Sequence, residues 1–171
     1  TRYIGDWSSD VCSSDLYKNK EMIDMIQDKK EISKKLKERA IFEGFTIAGI
    51  AAIPGGSRIK LRTNALERWL SSNNHAEMKW MEAEKRKNIG LLFKDAKSVL
   101  SVGFAYINSQ NNNNNFLKVA KFSQGEDYHK VIHKKLKNIG KWINQEIPDC
   151  KWKICVDTSP LLEKAWAEEA G

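Results

Sequence analysis

With 171 residues, 41% of them hydrophobic, and six tryptophans, the chain can bury a core of its own, and a single globular domain is expected rather than disorder. Its 29 basic and 22 acidic residues give a formal charge of +7, which suits either a solvated lysine-rich surface or a polyanionic partner such as RNA or DNA. No apolar stretch is long enough to cross a bilayer, there is no secretory layout at the N-terminus, and Cys12, Cys150 and Cys155 match neither a disulfide framework nor a common zinc or iron–sulfur spacing, so a cytoplasmic protein is expected.

Residues 1–16 differ in composition from the lysine-rich stretch after them. They repeat Ser-Ser-Asp and show no apolar period. Asp10 to Leu16 back-translates to gac gtg tgc tct tcc gat ct, which resembles the end of a common sequencing-library adapter. Residues 1–16 are therefore expected to be translated adapter, or else a disordered tail, and residues 17–171 the domain proper. Without them 28 basic and 19 acidic residues remain, so the basic character belongs to the domain.

From Met22 to Phe42 the apolar spacing predicts one or two amphipathic helices, with Gly44 where a helix would stop. Phe45–Ala51 reads as a buried strand, broken by Pro54-Gly55-Gly56-Ser57. Asn64 is expected to cap a helix carrying Leu66, Trp69 and Leu70, and His75 to lie in an exposed polar loop. Met78, Trp80 and Met81 then open another helix, packed into the core. Ser98–Tyr106 is the clearest strand, and the asparagine run 111–115 reads as a loop. Asp127 or Ser123 caps a helix with an apolar face from Val131 to Ile143, ended by Pro148. A strand at Trp152–Val156, with Cys155 buried in it, and a helix from Pro160 complete an α/β (α+β) domain with a mixed sheet flanked by amphipathic helices.

Polar or aromatic groups stand at three strand or loop ends: Tyr106, the Asp127-Tyr128-His129 turn, and Asp157. If these ends converge, a phenol, an imidazole and a carboxylic acid can stack on a planar ligand and deliver a proton. Each has a plainer reading. Asp157-Thr158-Ser159-Pro160 is also the pattern of a capped helix start, His129 that of a helix-surface residue, and Tyr128 that of a core ring with its hydroxyl in water.

Several segments, in order, resemble the N-terminal part of the epoxyqueuosine reductases. The most specific are Gly125-Glu126-Asp127-Tyr128-His129-Lys130 and Val156-Asp157-Thr158-Ser159-Pro160-Leu161-Leu162-Glu163-Lys164-Ala165; Leu36–Ala40, Gly49–Ala51, Glu77–Met81 and Ala96–Val99 add to them. The resemblance implies an oxidoreductase of queuosine biosynthesis and tRNA processing. Such an enzyme uses cobalamin and [4Fe-4S] clusters to reduce the epoxide of epoxyqueuosine, at the tRNA wobble position, to the alkene of queuosine. It implies that Asp157 donates a proton to the epoxide oxygen, with its pKa raised by burial beside corrin and base. Tyr128, His129, Tyr106, Asp127, Thr158, Ser159 and Lys164 would line the cobalamin and substrate cleft. The iron–sulfur cysteines and tRNA-holding helical repeats would lie beyond Gly171, making this chain a fragment, inactive alone. tRNA is the expected partner and a monomer the expected state; no metal site within the chain and no membrane are expected, and the electron donor stays open. The chain departs from the family at Lys121–Gly125, Asn88–Gly90 and Lys94–Ala96, which bears on phosphate contacts more than on Asp157. Two other readings remain: a basic α/β module that binds RNA without chemistry, and a corrinoid- or flavin-dependent reductase of a small molecule.

Overall fold

The computed structural model describes residues 13–105 and 125–171. The first twelve residues, Tyr106, the asparagine run and Ser123 lie outside the described residues, so the readings placed on them have no structural counterpart here. The chain divides into two compact units, residues 1–35 and 36–171. The first is described by helix α1 (Ser13–Phe42) up to Lys35, where Lys35 pairs with Glu31 one turn earlier at 3.0 Å. The expected boundary at residues 16/17 falls inside this helix.

The second unit is built on an antiparallel pair, β1 (Ile47–Ala52) and β2 (Ser98–Gly103), in the register Ala48↔Val102 and Ala51↔Val99. Side chains alternate across a strand, so this register sends two apolar sets to opposite faces. Ala48, Leu100 and Val102 meet Ala40 and Phe45, at and just after the end of α1, and Ile139 on α4 (Tyr128–Glu146). On the other face Ala51 and Val99 meet Ile59 on α2 (Ser57–Ser71) and Ala165 and Trp166 on α5 (Glu163–Ala170). The short α3 (Ile89–Leu92) adds Ile89 to that side. The result is helix, sheet, helix, as the α/β class requires.

Gly44 ends α1 as expected. At φ +89° it turns the chain, and the Gly44 and Phe45 N–H groups donate to Ile41 (2.9 Å) and Ala40 (3.1 Å) oxygens. This paired closure places Phe45 in the core, 2% exposed. Gly44→Ala puts a side chain in the left-handed region and is expected to cost about 1 kcal/mol, read as a lower urea midpoint with unchanged slope.

Several expectations need correction. The described sheet has only these two strands. Trp152–Val156 forms no regular secondary structure and pairs with no strand among the described residues. Its Trp152 ring lies against Gly140 of α4, where a Cβ would come within 2.4 Å of the indole, and Trp152 Nε1–H donates to Asn144 at 3.0 Å. The segment therefore runs along a helix instead of a sheet edge, and Cys155 is half-buried there. α2 starts at Ser57, which leaves Asn64 inside it; at its N-cap residue, the Gly56 N–H donates to Glu169 of α5 at 2.8 Å. Around Met78 the chain makes two 3-10 turns, Lys79–Glu82 and Glu84–Arg86, and Trp80 is 59% exposed, not core. His75, expected on the surface, is 7% exposed: it packs beside Trp69, and its Nε2 lies 2.9 Å from Glu82 Oε1.

Candidate active site

α4 is capped by Asp127, whose Oδ1 accepts the His129 backbone N–H at 3.0 Å. This N-cap satisfies an otherwise unpaired helix-end donor. The same oxygen lies 2.9 Å from His129 Nδ1. An ionised carboxylate can only accept, so Nδ1 carries a proton and donates it to Asp127. Those two bonds, the ring bond first, hold the Asp127 carboxyl below the usual carboxylate range. The Tyr128 and His129 rings stack, with centroids 4.0 Å apart and planes 28° apart.

Asp157 arrives from the other side. Pro160 does not start the helix: α5 begins at Glu163 with Leu162 as its N-cap residue and no side-chain cap. Asp157 lies five residues before that cap, so the capped-helix reading fails and its carboxylate is not spent on a helix end. It sits in a tight turn in the left-handed region, φ +56°, which aspartate tolerates better than most residues. Its Oδ2 accepts the Tyr128 hydroxyl at 3.0 Å and lies 3.6 Å from His129 Nε2. The Asp157 carboxylate accepting that hydroxyl is the main reason the Tyr128 phenol titrates above its ordinary value, with desolvation adding to it. The Asp157 side chain is 66% exposed, so the chain's own atoms leave it open to solvent.

Four of the predicted residues, Asp127, Tyr128, His129 and Asp157, are thus brought into one cluster. The other described ones are adjacent but not bonded into it. Thr158 bonds within its own turn, its N–H to Val156 O at 2.6 Å and its hydroxyl to the same oxygen at 3.3 Å. Ser159 O accepts Leu161 N–H at 2.8 Å, and Lys164 is exposed on the first turn of α5. Two residues carry no site signal in the sequence. Glu163 Oε1 accepts the Asp157 backbone N–H at 2.9 Å; desolvation chiefly pushes the Glu163 carboxyl up, against the pull of that bond and of Arg86. Arg86 in turn lies over the Trp80 ring, 4.6 Å from its centroid, with Nε donating to Trp80 O at 3.3 Å.

A family model described as epoxyqueuosine reductase QueG, DUF1730, matches residues 86–158, from Arg86 to Thr158 and across all four clustered residues. The epoxyqueuosine reductase of Prochlorococcus marinus (strain NATL2A) is 49% identical over 141 residues, which is 82% of this chain and 45% of that protein. Over that span the sequence is similar to the epoxyqueuosine reductases. The reductase of Cellulophaga algicola is 36% identical over 145 residues, covering 84% of this chain and 46% of its own length. The fold agrees as well. The structure of epoxyqueuosine reductase from Streptococcus thermophilus superposes at a TM-score of 0.65 with 23% identity, over 82% of this chain and 38% of that one. A selenomethionine-labelled epoxyqueuosine reductase gives 0.66 with 24% identity, over 83% and 39%. The chain spans less than half the length of the relatives it matches.

Proposed function

We propose that this chain carries the cobalamin- and substrate-facing part of an epoxyqueuosine reductase, with Asp157 as proton donor. The observation that carries the reading is the Asp157 carboxylate itself: exposed, free of any helix cap, and held by Tyr128 beside the stacked Tyr128–His129 pair. Taking an epoxide to an alkene consumes two electrons and two protons and releases the oxygen as water. The oxygen must be protonated as its C–O bonds break, which a carboxylic acid beside it can do. A large planar ligand over the cluster would remove Asp157 from water and favour its protonated form. We assign to His129, whose Nε2 lies 3.6 Å from Asp157 Oδ2, the return of a proton to Asp157.

Cobalamin fits the residues present in one respect: two stacked, half-buried rings offer an apolar edge beside polar groups that can orient a corrin and a base. It would supply the redox chemistry, while Asp127, Tyr128, His129 and Asp157 orient the substrate and hold the proton. Iron–sulfur clusters fit differently. A [4Fe-4S] cluster takes four thiolates and this sequence has three cysteines, so such clusters would be held outside these 171 residues.

tRNA is the partner we assign. Lys130, Lys134, Lys137 and Lys141 are all exposed on one face of α4, the helix that opens at the candidate site. A run of cations at that spacing suits a phosphate backbone. The same lysines favour the second reading, an RNA-binding module without chemistry. No described helix is long and apolar enough to cross a membrane; we place the protein in the cytoplasm, where tRNA is modified.

Cobalamin added to the purified chain tests the reading. A shifted corrinoid absorption spectrum, dependent on Tyr128 and His129, is expected. An unshifted spectrum with salt-dependent RNA binding would replace the reductase reading with the binding module.

A further inference from the structure

We propose that Glu163 is a positioning residue: by holding the Asp157 peptide N–H, it locks the left-handed turn that presents the Asp157 carboxylate to Tyr128 and His129. This rests on the reading of Asp157 as proton donor and adds the residue that sets its direction.

The turn needs a device of this kind. Left-handed backbone at a non-glycine residue is unfavourable and persists only where its surroundings over-determine it. Asp157 is at φ +56° with its side chain 66% exposed, so packing does not hold it. Its carboxylate is engaged by Tyr128 from α4, and its N–H by Glu163 from α5. These two bonds pin both ends of the residue to two different helices. The Glu163 bond is charge-assisted, the stronger kind of backbone contact.

Glu163 is itself held. It is the first residue of α5, where a negative charge is favoured by the helix dipole. Two and three residues further on, Ala165 and Trp166 are buried at 6% and 4% exposure, so the helix start has little freedom. Arg86 lies close enough to act electrostatically on the same carboxylate. The sequence spacing from Asp157 to Glu163 thus spans a closed loop whose last residue fixes its first.

The proposal is tested by amide hydrogen exchange at Asp157 and by NMR titration of the Tyr128 ring in the purified chain. Neither measurement depends on cobalamin or turnover, so failure here is distinct from failure of the proposed function. In the unmodified chain the Asp157 amide is expected to exchange slowly. Glu163→Ala is expected to speed that exchange about tenfold and to bring the Tyr128 titration down toward its ordinary value, with the Trp166 indole N–H resonance unshifted. Glu163→Gln keeps an acceptor oxygen but not the charge, and is expected to fall between the unmodified chain and Glu163→Ala on both measurements. Unchanged exchange and titration in Glu163→Ala would overturn the proposal, as would an equal loss in Glu163→Gln. If Glu163→Ala does not fold, the other two proteins decide: an Asp157 amide less protected in Glu163→Gln than in the unmodified chain supports the latch, and an unprotected one in the unmodified chain overturns it.

Discussion

Asp157→Asn is expected to lower the turnover of a full-length reductase carrying this segment by about a hundred- to ten-thousand-fold, the range that a positioned acid contributes. Asparagine has nearly the same shape and also tolerates the left-handed region, so the turn at φ +56° should persist. Its amide oxygen can still accept the Tyr128 hydroxyl that Asp157 Oδ2 now holds at 3.0 Å. What it cannot do is give up a proton to an epoxide oxygen. The result to look for is a collapse of kcat with the corrinoid spectrum of the bound protein unaltered. Activity equal to that of the unmodified enzyme would remove Asp157 from the chemistry and return it to a structural role.

The second large effect is on stability. Trp166→Ala is expected to cost about 3–5 kcal/mol, the usual range for emptying a buried aromatic site. Trp166 is 4% exposed in the cluster with Ala51, Ile59 and Ala165, and its ring also closes on Gly55, where a Cβ would lie 3.2 Å from the indole edge. α5 has only eight residues, too few to be stable as an isolated helix, so its order comes from such contacts. Its polar ties to α2, Arg62 to Glu168 at 2.9 Å and Gly56 N–H to Glu169 at 2.8 Å, lie nearer the surface and contribute less. Urea denaturation measures the loss. A change below about 1 kcal/mol would mean that something other than Trp166 anchors α5.

Much of the site is legible in the amino-acid order. Asp127-Tyr128-His129 reads as a helix start because an aspartate before an amphipathic run is a cap signal, and that is how Asp127 is used. Asp157 is harder. Pro160 is an ordinary first-turn residue, so the pattern points to a capped helix, whereas the chain spends residues 157–162 on a turn before α5 begins. Glu163 carries no local signal at all: its bond to the Asp157 N–H depends on the closure of that turn, a property of geometry and not of spacing. The apolar runs at β1 and β2 read correctly as strands, and their pairing puts one apolar set on each face. The run Trp152–Val156 has the same composition as a strand, and only the contact of Trp152 with Gly140 and Asn144 shows why it leaves the sheet. His75 misleads because polar neighbours in sequence suggest a loop, while its burial comes from Trp69 and Glu82 once the 3-10 turns fold back.

The position of α5 bears on how the molecule is made. Gly49 on β1 is so close to Ala170 that a Cβ there would lie 2.7 Å from the Ala170 carbonyl oxygen, and Gly56 is bonded to Glu169. The strand and the helix that covers it are therefore separated by more than a hundred residues of chain. On a ribosome adding about 5–20 residues per second, the sheet, complete once β2 is made, waits several seconds, about 3–12 s, for its cover. During that interval Ala51, Ile59 and Val99 have no Trp166 to pack against, and a chaperone that shields aliphatic surface would find its target there.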